Sequence, residues 1–221
     1  ATAARPYAER MAAVLANLAA SAGGGGPKLL AGTGKSDVHL VVVMTAERGL
    51  AGGFNSYVVK LARQKITALQ AEGKTVKVLT IGKKGREQLS RDLGSLLIGH
   101  VNLSDKSYEA GDFDVATIVY SQFKNVLTQV PTAQQLIPAK APAGAPTIDL
   151  GGAMYTYEPD EAALLEALLP RYINTQILSA LLESSAGEQA SRMTAMDNAT
   201  RNAKDLIKAL NLKYNRARQA Q

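Results

Sequence analysis

The chain has 221 residues, of which 46% are apolar, 20% charged and only 5% aromatic, with no Trp and no Cys. That composition suits a folded protein of slender, closely spaced helices and excludes disulfides, thiolate catalysis and Cys-ligated metals. A formal net charge of +6 and a pI near 9.5 admit nucleic acid, anionic lipid or an acidic protein as partner. No apolar run approaches the roughly 20 residues of a membrane-spanning helix. The absence of Cys fits a reducing compartment. With no signal-peptide pattern and no initiator Met, the chain reads as processed or partial.

Ala1–Ala20 has helical periodicity, with Tyr7, Met11, Val14 and Leu18 spaced four, three and four apart as in a coiled-coil seam. Residues 21–36, "SAGGGGPKLLAGTGKS", form a Gly-rich linker that no regular element is expected to cross. Val38–Thr45 is a continuous β-branched run, the signature of a strand buried on both faces. A helix follows, with Asn55 or Ser56 as its cap, an apolar face of Val58, Val59, Leu61, Ala62, Ile66 and Leu69, and Gly73 as its stop.

Lys74–Ile81 reads as a second strand, Lys83–Asp92 as a second helix and Leu96–Leu103 as a third strand. Val115–Tyr120 is a further strand. "TQVPTAQQLIPAK" is an extended edge strand, where Pro131 and Pro138 cost no ladder hydrogen bond. This alternation implies a mostly parallel sheet with helices on its faces. Residues 139–153 form a second loop.

From Pro159 the pattern is helical, with Asp160 and Glu161 near the positive end of the dipole. Pro170 is expected to break it into a short and a long helix. Arg171–Gln221 would then span about 75 Å at 1.5 Å per residue, too long to pack wholly on the middle domain. Met196, Ala199, Ala203, Leu206 and Leu210 form a narrow seam on it, spaced three, four, three and four apart. The expected fold is therefore α/β: an antiparallel coiled coil of N- and C-terminal helices with an inserted Rossmann-like α/β domain. Its parts are residues 1–22 (N-terminal helix), 23–36 (linker), 37–157 (globular domain) and 158–221 (C-terminal helical segment).

Two motifs invite a phosphate-binding reading. "GTGKS" supplies Gly34, Lys35 and Ser36 of a P-loop, but Leu29 stands where its first Gly belongs, and Ser36 leads into a strand instead of a helix. It reads as linker. A P-loop NTPase using Gly34-Lys35-Ser36 is the alternative function. "ERGLAGGFN", Glu47–Asn55, ends the first strand where α/β sheets place ligands. It lacks the G-x-G-x-x-G spacing and reads as a tight turn needing Gly49, Gly52 and Gly53 for special dihedrals and close packing.

His39 and His100, the only histidines, have no carboxylate or hydroxyl at motif spacing and read as packed or surface residues. No metal-ligand spacing and no catalytic constellation is visible. Met193 and Met196 read as core more readily than as a recognition surface. Lys213, Arg216 and Arg218 form a basic patch, either a solvated face or a contact for an acidic protein. A nucleic-acid-binding coiled coil rests on pI alone, without a basic region in register with a zipper or an aromatic platform.

"ERGLAGGFN", "FKNVLTQVPTAQQLIPA", "YEPDEAALLEALLPRYI", "LLESSAGEQASRMTAMDNATRNAKDLI" and "LKYNRARQAQ" occur in that order, spread from Glu47 to the last residue. Together they resemble the gamma-subunit family of the rotary (F-type) ATP synthases, bacterial or mitochondrial-like. The resemblance implies a non-catalytic central-stalk rotor of a proton-driven motor. It transmits torque between a membrane c ring and a catalytic ring of alpha and beta subunits, with epsilon or its mitochondrial equivalent bound at the foot. It implies no cofactor, no metal, no nucleic acid, and a peripheral place on the membrane held through the complex. That place is the cytoplasmic face of the bacterial inner membrane, or the matrix side if organellar.

By the same resemblance, Arg192 and Gln219 match positions that contact beta, and Arg216 and Arg218 are weaker matches for acidic beta or alpha surfaces. Lys208 and Lys213 are too ordinary to carry over. The family ordinarily has a longer helix before "RPYAERM", a further stretch after "ARQA", and a longer, helix-containing link where Leu103–Val115 stands. Ala51 occupies a position where many relatives carry Cys, and the cysteine-bearing insert of the chloroplast form has no counterpart.

Overall fold

Leu40–Met44 present five large apolar side chains in succession, so both faces of the strand they form must be covered. The computed structural model describes residues 5–21, 27–98, 113–139 and 161–220. There, β1 (Val38–Met44) lies inside a four-strand sheet with β2 (Thr75–Ile81), β3 (Val115–Phe123) and β4 (Gln129–Ile137), in the order β2-β1-β3-β4. β1 pairs in parallel with β2 and β3, and β4 closes the sheet antiparallel to β3. The edge position expected for the proline-bearing strand is observed, with Pro131 opposite Ser121.

Alternation along β1 divides the core in two. Val41 and Val43 face α3 (Phe54–Ala71) and α4 (Lys83–Leu93), packing with Val58, Val59, Ala62, Ile66, Leu69 and Leu89. Leu40, Val42 and Met44 share the opposite core with Ile118, with Ala12 and Leu15 of α1 (Arg5–Ser21), and with Leu165, Leu169, Tyr172 and Ile173 of α5 (Glu161–Gln219). Burial pushes the Tyr172 phenol above its ordinary pKa. Arg63 of α3 bonds the Gln88 carbonyl and the Asp92 carboxylate of α4, so the two covering helices are also tied to each other.

Several expectations need correction. The linker is crossed by a one-turn helix, α2 (Lys28–Ala31), because Pro27 accepts from the amides of Leu30 and Ala31 while Leu29 drops into the core. Asn55 does not cap α3. It lies buried in the first turn, where its Oδ1 accepts from the Ala46 amide at 2.9 Å and holds the end of β1 to the helix. In α1 the buried face is Ala12, Ala13 and Leu15, whereas Tyr7 and Val14 of the expected seam are exposed. Small side chains allow α1 and α5 a closer approach than the larger residues would.

Of the strand expected at 96–103, the described part is a 3₁₀ turn (Gly94–Leu96) and one parallel bridge from Leu97 to Val78. The remainder, with His100 and the loops at 139–153, falls mostly or wholly outside the described residues. The break expected at Pro170 does not occur, since α5 runs through it. Leu165 and Leu169 before the proline and Tyr172 and Ile173 after it are all buried on the same sheet, and this packing outweighs one missing backbone hydrogen bond. The bond would have been received by the carbonyl of Glu166, an exposed residue that water can reach.

The "GTGKS" loop is a fastening for β1. Asp114 accepts from the Thr33 hydroxyl at 2.7 Å and from the amides of Asp37 and Val38 at 2.9 and 3.0 Å. These bonds, first from Thr33 and then from Val38, hold the Asp114 carboxyl below its ordinary pKa against the opposing effect of burial. At the other end of β1, the Thr45 hydroxyl accepts from the Gly85 amide at 2.8 Å. Gly82 has φ +96° there, and a Cβ on it would lie 2.1 Å from the Thr45 carbonyl oxygen.

Two predictions follow from these ends of β1. Gly82→Ala should cost more than about 2 kcal/mol in urea unfolding, since left-handed strain and backbone overlap coincide there. Gly52→Ala, also at positive φ but in open space, should cost about 1 kcal/mol. Equal costs would show that the overlap does not matter. Asp114→Asn should weaken the fold by about 1–3 kcal/mol at neutral pH. The parent holds this contribution in full above the ordinary Asp pKa of about 3.9 and loses it as pH falls through the lower folded-state value. Parent and variant stabilities should therefore converge in acid, and a gap independent of pH would refute the assignment.

Candidate functional site

The 59 residues of α5 divide into a packed root and a free length. From Leu165 to Ala190 the helix repeatedly buries residues on the sheet, and from Met196 to Ala220 every residue is exposed. At 1.5 Å per residue the free length extends about 37 Å. It carries Leu206 (61% exposed), Ile207, Leu210, Leu212 and Tyr214 (66%), a degree of apolar exposure that in a folded protein marks a partner surface.

At about 100° per residue, Met196, Ala199, Ala203, Leu206, Ile207, Leu210 and Tyr214 fall within an arc of about 100°. Leu212 lies on the far side, apart from this stripe. Met193 and Met196, expected in a core, are 58% and 40% exposed instead. They flank the point where the helix leaves the body.

Arg192 stands at that exit, half-buried, paired with Glu188 and bonded to Gln189. Arg216, Arg218 and Gln219 lie exposed at the far end, about 36–40 Å away along the helix, and spread over about 160° of its circumference. The structure thus does not bring the four expected contact residues together; it sets them at two stations on one rod. Arg216 and Arg218 also lie in the last turn, where cations complement the helix dipole. Asp197 and Arg201 form an ion pair between the stations.

Three elements meet where α5 leaves the body. The turn at 51–57, the β3–β4 hairpin and residues 191–198 of α5 surround an open groove of about 300 Å³. Leu50 at φ +61°, Tyr57, Val126 and Leu127, the last 83% exposed, add apolar surface near it. In the "ERGLAGGFN" turn, Gly52 has φ +54°, and a Cβ on Gly53 would strike the Tyr57 ring. Gly49, expected to need a special dihedral, is not at positive φ; Leu50 is.

Sequence reasoning did not single out the polar side chains that fasten the root. Glu183, 4% exposed, accepts from the Phe123 amide at 2.7 Å, and the Ser191 hydroxyl donates to Gln129 Oε1 at 2.8 Å. Their signal was present in "LLESSAGEQAS", where Glu183, Gly187 and Ser191 recur every four residues on one helix face.

Neither phosphate reading gains a site. "GTGKS" enters a strand, and its serine is engaged: Lys74 donates to the Ser36 hydroxyl at 3.0 Å, and the Ser36 carbonyl lies 3.0 Å from His39 Nε2. Since a carbonyl only accepts, Nε2 is the donor in that bond, and His39 Nδ1 is buried without a partner among the described residues. A larger cavity of about 770 Å³ beside α4 is lined by charges of both signs, Glu47, Lys83, Arg86 and Glu87. The Lys83 amide faces Glu47 at 3.4 Å and Lys84 pairs with Glu87 at 2.7 Å. Among the described residues no helix is long and apolar enough to cross a membrane, and no cluster of three metal-ligating side chains occurs.

With this geometry in place, comparison with known proteins is direct. A family model described as ATP synthase matches residues 1–221. An ATP synthase gamma chain from Hyphomonas neptunium is 76% identical, covering 100% of this chain and 82% of that relative. Gamma chains from Parvibaculum lavamentivorans and Fuscovulum blasticum are 58% and 56% identical over 100% of this chain and 82% and 81% of their own lengths. The Hyphomonas alignment runs over 239 positions, so that relative has residues within the matched span that this chain lacks. Among solved structures, the central stalk and c ring of Tetrahymena thermophila mitochondrial ATP synthase holds a similar chain, with TM-score 0.54 and 25% identity, covering 75% of this chain and 78% of that one. A chain of the Euglena gracilis mitochondrial enzyme shares the fold, with TM-score 0.59 and 18% identity, covering 84% and 68%.

Most helix stability in proteins comes from tertiary packing, which the exposed length lacks. Amides of residues 196–220 in the isolated chain should exchange with deuterium about tenfold faster or more than those of 165–190. Equal protection along α5 would mean that the free length is held by contacts not described above.

Proposed function

The chain belongs to the gamma family of the ATP synthases, and from that premise we propose that it is the central-stalk rotor of a proton-driven ATP synthase, transmitting torque and catalysing nothing itself. In this reading α5 is the shaft, the α/β domain is the foot, and the chemistry takes place in neighbouring alpha and beta subunits. The observation that carries the proposal is the division of one continuous helix into a root buried on the sheet and a free length exposed on all sides.

Torque transmission requires that division. A helix packed along its whole length could not enter a ring of other subunits, and one without a packed root could not turn the body. The seam of Met196, Ala199, Ala203, Leu206 and Leu210 takes a second helix in a coiled coil, and Leu212 on the far side meets the surrounding ring. We assign residues 1–22 and 158–221 to the helical shaft segments, 23–36 to the linker and 37–157 to the foot. The foot faces the c ring and epsilon, and the chain is held peripherally at the membrane through them. Rotation works as coupling: an asymmetric shaft favours different conformations of successive catalytic sites, and the difference in contact free energy is what the sites exchange.

Arg192 at the exit and Gln219 at the far end are the proposed contacts with beta. Arg216 and Arg218 meet acidic alpha or beta surfaces. Cationic side chains spread around a thin helix suit a sleeve whose facing charges change as the shaft turns.

Co-expression tests the assignment. Tagged chain should recover alpha and beta subunits, and a stable chain that recovers neither would overturn the reading. Arg192→Ala should leave assembly intact and lower ATP-driven rotation roughly fivefold, about 1 kcal/mol of lost coupling. Joint Arg216→Glu and Arg218→Glu substitution should instead weaken recovery of the ring, most strongly at low salt.

A further inference from the structure

We propose that the β3–β4 hairpin is a latch that sets the angular position of the shaft at its root, with Gln129, held by its own turn while it accepts from Ser191, as the positioning residue. The inference rests on the rotor reading and adds to it the place where torque passes between helix and body.

Apolar burial fixes which face of α5 meets the sheet, but the attraction itself is not directional and tolerates small rotations. Hydrogen bonds are directional, so they decide which way the helix faces. Three side-chain hydrogen bonds tie the root of α5 to the β3–β4 pair: Gln134 to Gln176 at 2.8 Å, the Phe123 amide to Glu183 at 2.7 Å, and Ser191 to Gln129 at 2.8 Å. On an ideal helix Gln176, Glu183, Gly187 and Ser191 lie within an arc of about 80°. These three ties therefore act on one side, and of them the Ser191 tie is the last before the exposed length begins.

Gln129 is fitted to this task by its neighbours. Its Nε2 donates to the carbonyls of Asn125 and Val126 at 3.2 and 2.9 Å, leaving Oε1 aimed at Ser191. The turn that supplies those carbonyls is itself braced, because Asn125 Oδ1 accepts from the amides of Leu127 and Thr128 at 3.0 and 2.8 Å. Gly187 brings the helix backbone down onto the same residue: a Cβ there would lie 3.3 Å from Gln129 Cγ and 3.3 Å from Phe54 Cε2. The helix thus sits between the hairpin and the turn that opens α3. Twisting it would strain the Gln129–Ser191 bond and press the Gly187 backbone against two side chains at once.

The test uses the assembled catalytic complex with the shaft blocked in the ring and a bead on the globular foot. Angular variance of the bead reports the stiffness between them. In Gln129→Ala or Ser191→Ala the variance should rise on the order of twofold, as expected when one of two directional ties near the exit is cut. The double variant should add nothing further, since both changes remove one bond. Ser191→Thr, which keeps the hydroxyl, should restore the parent value. Gln135→Ala, on the same strand but bonded to the Pro138 carbonyl instead of α5, should leave the variance unchanged.

Parent-like variance in both Gln129→Ala and Ser191→Ala complexes would overturn the latch while leaving the rotor reading intact. An equal rise in Gln135→Ala would also overturn it, by showing general loosening of the strand. If Gln129→Ala fails to assemble, Ser191→Ala decides alone. A parent chain that assembles but never rotates would remove the rotor reading and the latch together.

Discussion

The constraint on which the rest depends is a mismatch of lengths. A helix of 59 residues extends nearly 90 Å, whereas strands of seven to nine residues span about 23–30 Å. Leu165, Leu169, Tyr172, Ile173 and Ala180 bury one end of the helix against Leu40, Val42 and Ile118, and nothing in the sheet is long enough to receive the other. One end must therefore be body and the other must be offered to something else. Side chains follow the same division. The buried face of the root is mostly apolar with a few bonded polar groups, and the free length mixes Leu, Ile, Met and Tyr with Lys, Arg and Asp around its whole circumference.

That root is strong enough to override a local rule. Proline in a helix interior ordinarily costs about 3 kcal/mol. At Pro170 four buried side chains flank the residue, and burying each contributes roughly 1.5–3 kcal/mol, so the packing exceeds the local penalty. The proline also falls where the orphaned carbonyl can be solvated. The same residue in the middle of the buried face would have left that carbonyl dry, and the helix would have had to bend.

Much of this was readable from the sequence because the strong signals are periodic and local. The β-branched run of β1, the apolar face of α3, the Gly73 stop and the proline-bearing edge strand all report their own environment through spacing alone. What escaped depends on residues far apart in the chain. Asn55 reads as a helix cap until the Ala46 amide is placed beside it. "GTGKS" reads as phosphate chemistry or slack linker until Asp114, some eighty residues on, is seen to accept from its Thr33 hydroxyl and from the Asp37 and Val38 amides just beyond it. Glu183 and Ser191 have no visible partners until the β3–β4 hairpin is laid across them. The seam of α1 is observed in part: Met11 packs on the core and touches Thr175, whereas Tyr7 and Val14 are exposed and Ala12, Ala13 and Leu15 are buried.

The two kinds of polar group on α5 explain how one helix serves two environments. Glu183 is buried and bonded to a backbone amide, an arrangement that is costly to disturb because removing either partner strands the other away from water. Asp197 and Arg201, a few turns later, pair on an exposed surface, where such a bridge adds little to stability and is readily exchanged. A shaft needs the first kind where it must not slip and the second where its neighbours change as it turns. The change from one to the other falls between Ser191 and Met196, where the hairpin ends and the helix goes on alone, so the grip on the helix and its freedom are set within about one and a half turns of each other.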